Sequence, residues 1–110
     1  MQENKKMKVK LYEILNLFVG LKEDNGGINT NGISIIDKLM LTNFNTVKQA
    51  KQVLEFIEQC NKYKESFQKI DENEKEKAIV EEVEIQGLTE DIIDFFTVPY
   101  EILQIKKFID

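Results

Sequence analysis

The sequence predicts an α-rich α+β fold with one long central helix, flanking helices and a small β element. Apolar residues recur at steps of three and four through most of the chain, as in helices with one buried face. One short stretch near residue 84 instead alternates apolar and charged residues, as a half-buried strand does. A chain of 110 residues has the length of one domain, so we expect residues 1–110 to form a single domain.

The first amphipathic pattern predicts a helix over residues 9–23. Its apolar positions recur at helical spacing and are Leu11, Ile14, Leu15, Phe18 and Leu21. Asn25, Gly26 and Gly27 follow, and glycine permits the positive φ of a helix C-cap. Residues 24–32 are dense in turn-favouring residues and predict a loop. We expect residues 1–8 to be an unanchored terminus.

Residues 33–41 are apolar and allow two interpretations. Ser34, with Asp37 three residues later, has the spacing of a helix N-cap and favours a short buried helix over residues 35–41. A strand over residues 33–36 remains an alternative, because a short apolar run does not distinguish the two.

The strongest element is a helix over residues 46–70. Thr46 and Gln49 have the spacing of a capping box. We expect its buried stripe to consist of Val47, Ala50, Leu54, Ile57, Cys60 or Asn61, Lys64, Phe67 and Ile70.

The last third of the chain mixes helix and strand signals. The Glu- and Lys-rich residues 74–77 predict a second helix after a break near residues 71–73. Residues 83–85 predict a strand that Gly87 ends, and residues 92–96 form either a strand or one helical turn. Pro99 suits the first turn of a final helix, with Glu101 where the helix dipole favours an acid.

The net charge of −5 is unevenly distributed along the chain. Residues 1–10 carry a net charge of +3, whereas residues 71–94 contain ten acids and two lysines, a net of −8. An acidic surface repels nucleic acid and attracts basic partners, although solubility alone is a sufficient reason for it.

The composition argues against catalysis and against metal or cofactor binding. The chain has no His, no Arg and a single Cys, so no histidine is present to activate Ser34, Ser66 or Cys60 as a nucleophile. Structural zinc needs several Cys or His ligands, and the Asp24 loop lacks the acids of a calcium site. We therefore expect no enzyme activity, no cofactor and no metal, and we expect Cys60 to be a small buried hydrophobic residue.

The acidic stretch provides the candidate binding residues. Acids surrounding aromatic anchors suit the capture of a basic groove on another protein. The alternative is that the apolar residues between the acids belong to the core and the acids only face water. The candidate partner-binding residues are Glu81, Glu82, Glu84, Glu90, Asp91, Asp94, Phe95 and Phe96.

The order of these parts resembles a family of small phage and prophage proteins of unknown function. The resemblance rests on residues 7–13 opening a helix, a glycine-containing loop, and a long charged helix with Ile57, Glu58 and Gln59. It also rests on the 82–85 strand signature and the closing segment at residues 98–103. It implies an origin in a mobile element. Small acidic proteins of phages commonly act by stoichiometric binding, and some are anti-CRISPR proteins that occupy the nucleic-acid channel of a nuclease.

The sequence therefore supports two function hypotheses. The first is a non-enzymatic phage or prophage accessory protein that inhibits a host defence effector, with a basic nucleic-acid-binding protein as partner. The second is a virion assembly chaperone or minor structural protein that uses the long helix. We expect no direct binding of nucleic acid or membrane, and no apolar run approaches the roughly 18 residues of a membrane helix. The expected location is the cytoplasm, that of the host if the protein is phage-encoded.

Overall fold

The computed structural model describes residues 6–20 and 32–109, which form an α-rich α+β fold around one long helix. None of the helices in these two ranges has the length and hydropathy needed to cross a membrane. The described strands are β1 (Lys6–Lys10) and β2 (Glu82–Gln86). The α-helices are α1 (Leu11–Leu15), α2 (Ile35–Leu41), α3 (Val47–Gln68), α4 (Lys75–Ala78) and α5 (Pro99–Lys106).

The N-terminal segment pairs with the predicted strand to form a two-stranded antiparallel sheet. In β1, Lys6 to Lys10 alternate lysine with apolar residues, and Val9 is buried opposite Val83. The strand thus includes residues 6–8, for which we expected an unanchored terminus. It also takes two residues of the helix predicted over 9–23.

The predicted helix over residues 9–23 is wrong in both its start and its length. Helix α1 begins at Leu11, whose N–H donates to the carbonyl of Glu81 at 2.9 Å. Because the backbone up to this residue pairs with β2 and with Glu81 just before it, the helix starts two residues later than predicted. The last turn tightens to a 3-10 helix over Asn16–Phe18, and Val19 is already extended. Residues 21–23 and the cap expected at residues 25–27 lie outside the described residues.

Two glycines meet beside the loop predicted over residues 24–32. A Cβ atom on Gly20 would overlap the carbonyl group of Gly32, so only glycine allows this backbone approach. Gly32 itself has a φ of 79°, the left-handed conformation that glycine adopts without steric cost. The remainder of that loop lies outside the described residues.

The helix interpretation of residues 35–41 is confirmed, and the alternative strand over residues 33–36 is not formed. The Ser34 hydroxyl accepts a hydrogen bond from the Asp37 N–H at 3.1 Å, which satisfies one of the free donors in the first turn. Helix α2 then buries Ile35, Ile36 and Leu39.

Helix α3 confirms the predicted long helix and its cap, but it buries a different flank from the one predicted. Thr46 accepts a hydrogen bond from the Gln49 N–H at 3.0 Å. Val47 and Leu54, expected in the core, are 83% and 56% exposed. The side chains that α3 buries are Gln49, Val53, Phe56, Ile57 and Cys60. Of the expected stripe, only Ile57 and Cys60 are buried.

The core forms around this buried flank of α3. The rings of Phe56 and of Phe108, near the C-terminal end of the chain, form a T-shaped contact with ring centroids 5.3 Å apart. Ile14 and Leu17 from the N-terminal helices and Ile85 from β2 belong to the same buried cluster. The two ends of the chain and the sheet therefore share one core.

The elements of the last third agree with most predictions. A 3-10 turn at Glu72–Glu74 leads into α4, and β2 ends at Gln86. For residues 92–96 the sequence allowed either a strand or one helical turn; the structure has a 3-10 helix over Glu90–Phe95. Pro99 is the first residue of α5, as predicted.

The choice of buried flank on α3 can be tested with two apolar residues that lie two positions apart. We expect Phe56→Ala to lower the free energy of unfolding by about 3–5 kcal/mol, because it empties a fully buried site. Leu54→Ala should change it by about 0.5 kcal/mol or less in dilute solution, because the side chain is mostly exposed. Urea unfolding of the two variants measures both values. A larger loss at Leu54 than at Phe56 would contradict the assigned flank.

Candidate functional site

The six candidate acids are all exposed, but the fold divides them into two groups. Buried Leu88, which pairs with Ile109 in an isolated bridge, lies between the two groups in the chain. The first group, in and next to β2, is Glu81, Glu82 and Glu84. The second group, in the 3-10 helix, is Glu90, Asp91 and Asp94, which we call the acidic 3-10 patch.

The acids of β2 face lysines across the sheet. Lys10 lies directly opposite Glu82, and Lys8 lies directly opposite Glu84. Alternate residues of a strand share one face, and opposite charges in direct cross-strand register attract each other. The exposed face of the sheet is therefore close to charge-balanced, although the sequence around residue 84 is strongly acidic.

The acidic 3-10 patch is held in place by hydrogen bonds and by its apolar side. The carboxylate of Asp91 accepts a hydrogen bond from the Gln49 side-chain amide at 2.9 Å and another from the Thr89 hydroxyl. Residues three apart eclipse in a 3-10 helix, so Asp91 and Asp94 line up on the outer side. Across residues 6–20 and 32–109, Glu90 and Asp94 form no ion pair. Both carboxylates are therefore accessible to a cationic partner.

The two candidate aromatic anchors occupy different environments. Phe96 is only 4% exposed and belongs to the core, so its ring cannot contact a partner unless the core opens. Phe95 is half-buried and packs edge-on against Phe44, with ring centroids 5.0 Å apart. Ile92, between the acids, is fully buried. Phe95, like Ile93, is half-buried, so part of its ring is accessible to a partner at the patch.

An ion pair that the sequence analysis missed, with a fully buried carboxylate and a partly exposed lysine, lies beside Phe96. The Lys38 ammonium is 2.7 Å from Oε1 of Glu101, whose side chain is fully buried, and 5.9 Å from the centroid of the Phe96 ring. The second carboxylate oxygen of Glu101 has no hydrogen-bond partner among the described residues. Glu101, Ile105 and Phe108 recur at steps of four and three, which places the acid on the apolar side of α5. That spacing is the signal in the sequence that could have identified the buried acid.

A polar groove lies between α3 and the sheet, with a volume of about 370 Å³. The Tyr63 hydroxyl donates to the carbonyl of Glu84 at 2.6 Å, and the Gln59 side chain accepts from the Gln86 N–H at 3.0 Å. These bonds fix α3 along the outer edge of β2. The groove is lined by Lys6, Gln59, Lys62, Tyr63, Ser66 and Glu84. Sequence reasoning could not find it, because its walls come from three separate elements.

The prediction for Cys60 is confirmed, since its side chain is fully buried. Burial raises the pKa of its thiol above the ordinary value and so disfavours the reactive thiolate. Within the part of the chain that the structure describes, no group of three or more Cys, Asp or Glu side chains is arranged to hold a metal ion.

Comparison of the chain with protein-family models, curated proteins and solved structures finds no match in any of the three. The resemblance to small phage proteins therefore stays a prediction.

Replacing each phenylalanine of the pair by alanine tests their different environments. We expect Phe96→Ala to lower the free energy of unfolding by about 3–5 kcal/mol, because it leaves a cavity in the core. Phe95→Ala should cost less, because it removes a half-buried ring and one edge-on contact of about 0.5–1.5 kcal/mol. Thermal and urea unfolding measure both, and equal losses would contradict the assignment of Phe96 alone to the core.

Removing one partner of the buried ion pair should be more costly than removing both. Lys38→Met leaves the buried Glu101 carboxylate without a counter-charge, and we expect a loss of about 3 kcal/mol in the free energy of unfolding. The double variant Lys38→Met with Glu101→Leu should recover most of that loss. Lys75→Met is the matched control, because Lys75 pairs at 3.5 Å with the exposed Glu72 and should cost less than about 1 kcal/mol. Simple additivity of the Lys38 and Glu101 losses would contradict this account.

Proposed function

We propose that this protein acts by binding rather than by catalysis, and that the acidic 3-10 patch captures a basic, nucleic-acid-binding surface of another protein. The observation that carries the proposal is the presentation of Glu90 and Asp94. Both carboxylates are exposed, and neither has a cationic partner among the described residues. They stand on a short helix whose opposite side is packed into the core.

Pre-organisation of the patch supports this role. The bond from Gln49 to Asp91 ties the 3-10 helix to the first turn of α3, and Ile92 anchors it from below. Binding therefore orders little additional chain, which reduces the entropic cost of association. Exposed charges fixed in this way mainly steer encounter and raise the association rate.

Carboxylates in fixed positions can compete with the phosphates of a nucleic acid for the same lysines and arginines. A nucleic-acid channel concentrates such cations, because phosphate contacts supply most of its non-specific affinity. We propose a host defence effector as the partner and inhibition by occupation of its channel as the mechanism, in a phage or prophage context. Anti-CRISPR activity is the first case to test.

The competing candidate is a virion assembly chaperone or a minor structural protein. The exposed apolar residues Val47 and Leu54 on α3 favour it, because such a face suits helix pairing. Co-purification with head or tail components, in place of a defence effector, would select this candidate.

Charge reversal at the patch tests the leading proposal. In cells carrying a panel of CRISPR and other defence effectors, we expect the wild-type protein to restore phage plating for at least one system. Glu90→Lys with Asp94→Lys should lose that effect and lower the association rate with the purified effector. The wild-type rate should fall as salt rises, since the Debye length is about 8 Å at physiological ionic strength.

Glu74→Lys with Glu76→Lys is the control, because it changes the net charge equally at two exposed acids that belong to other elements, the Glu72–Glu74 turn and α4. This variant should inhibit nearly as well as wild type. Absence of inhibition across the panel would overturn the defence-effector proposal. Salt-independent binding that survives the patch reversal would overturn the acidic contact surface.

A further inference from the structure

Helix α3 carries a second apolar face, which the fold leaves open. Val47 is 83% exposed and Leu54 is 56% exposed, and Ala50 between them is exposed as well. Their spacing of three and four residues places them along one side of the helix, away from the flank that buries Val53 and Phe56. We call Val47, Ala50 and Leu54 the open face of α3. A helix whose two sides are both apolar has more apolar surface than its own core uses.

The charges bordering the open face are arranged in order along the helix. Lys48 and Lys51 lie toward its N-terminal end, and Glu55 and Glu58 follow one to two turns later. All four side chains are exposed. In the described ranges, none of them forms an ion pair with another side chain of the same chain. The border of the open face is therefore basic at one end and acidic at the other.

We propose that the open face of α3 binds the same face of a second copy of the chain, with the two helices antiparallel. A two-fold axis near residue 53 places Lys48 of one copy opposite Glu58 of the other, and Lys51 opposite Glu55. Both pairs share this one axis, so a single arrangement satisfies all four charges of each copy. In a parallel arrangement each residue lies level with its own counterpart, so no lysine would lie opposite a glutamate, which disfavours it.

Leu54 lies next to this axis and meets its counterpart in the second copy. Ala50, with its small side chain, allows the helices to approach closely, and Val47 covers the ends of the contact. The segment from residue 47 to residue 58 is roughly 17 Å long at 1.5 Å per residue. A contact of this length falls at the small end of specific interfaces, so the dimer forms and dissociates with concentration. This surface is distinct from the acidic 3-10 patch.

A charge-swap experiment tests the proposal on the full chain. The variant Lys48→Glu with Lys51→Glu makes the border of the open face entirely acidic, and Glu55→Lys with Glu58→Lys makes it entirely basic. Analytical ultracentrifugation from about 1 μM to about 1 mM, the range expected of a small interface, should show a reversible wild-type dimer. Each swap variant alone should be monomeric. An equimolar mixture of the two should recover a dimer, because the opposite charges face each other again.

Leu54→Lys tests the apolar part of the contact. It should raise the dissociation constant of the dimer at least about tenfold, as the loss of one central anchor does. Leu103→Lys is the matched control, because Leu103 is similarly exposed at 59% but lies on α5, and it should leave the dissociation constant unchanged. Circular dichroism checks that every variant keeps its helical content.

Three results would overturn the proposal. A wild-type monomer across the whole concentration range would exclude the second copy and leave the open face to a different protein. A dimer that persists in both swap variants, or one that Leu103→Lys weakens as much as Leu54→Lys, would place the contact elsewhere on the chain.

Discussion

The burial of one flank of helix α3 is the constraint on which the rest of the structure depends. The helix has 22 residues, and its buried side receives packing from α1, from α2 and from β2. Phe56 meets Phe108 there, so the C-terminal residues are held by the centre of the chain. The Tyr63 hydroxyl, which donates to the Glu84 carbonyl, and the Gln59 side chain, which accepts from the Gln86 N–H, also fix β2 along the helix. Once this flank is chosen, the sheet, the polar groove and the acidic 3-10 patch take their positions from it.

Features encoded by neighbouring residues could be predicted, and features that depend on distant pairing could not. The caps at Ser34 and Thr46 and the proline start of α5 follow from side chains within three or four residues of one another. Strand β1 depends on partners more than 70 positions away along the sequence. Helical periodicity alone therefore predicts a helix start at residue 9, two residues before α1 begins. On α3, both sides carry apolar residues at helical spacing, so only tertiary contacts decide which side is buried.

The charge of the candidate site also depends on residues that are distant in the sequence. Counting charges along residues 71–94 gives a uniform acidic stretch, but the register of the sheet brings Lys8 and Lys10 against Glu84 and Glu82. Glu90 and Asp94, by contrast, have no lysine opposite them and form no ion pair among the described residues. Burial is the alternative predicted for the apolar residues of this stretch; Ile92 and Phe96 are buried, whereas Ile93 and Phe95 are half-buried. The sequence did not predict that Glu101 is buried. An acid in the first turn of a helix is already explained by the helix dipole, so nothing local pointed to a buried ion pair.

The open face lies on α3, whereas the acidic 3-10 patch lies on a separate 3-10 helix that is tied to the buried flank of α3, and this makes the effects of the two surfaces separable. Asp91 is tied to Gln49 on the buried flank of α3, whereas Val47 and Leu54 lie on the open face. A change at the open face therefore leaves the hydrogen bond that orients the acidic patch intact. A two-fold pairing through the open face would give one assembly two acidic patches. Two weak electrostatic contacts on one body bind far more tightly than either alone when the partner presents two matching basic sites. Pairing of α3 would then act on function through avidity, without any new contact to the partner.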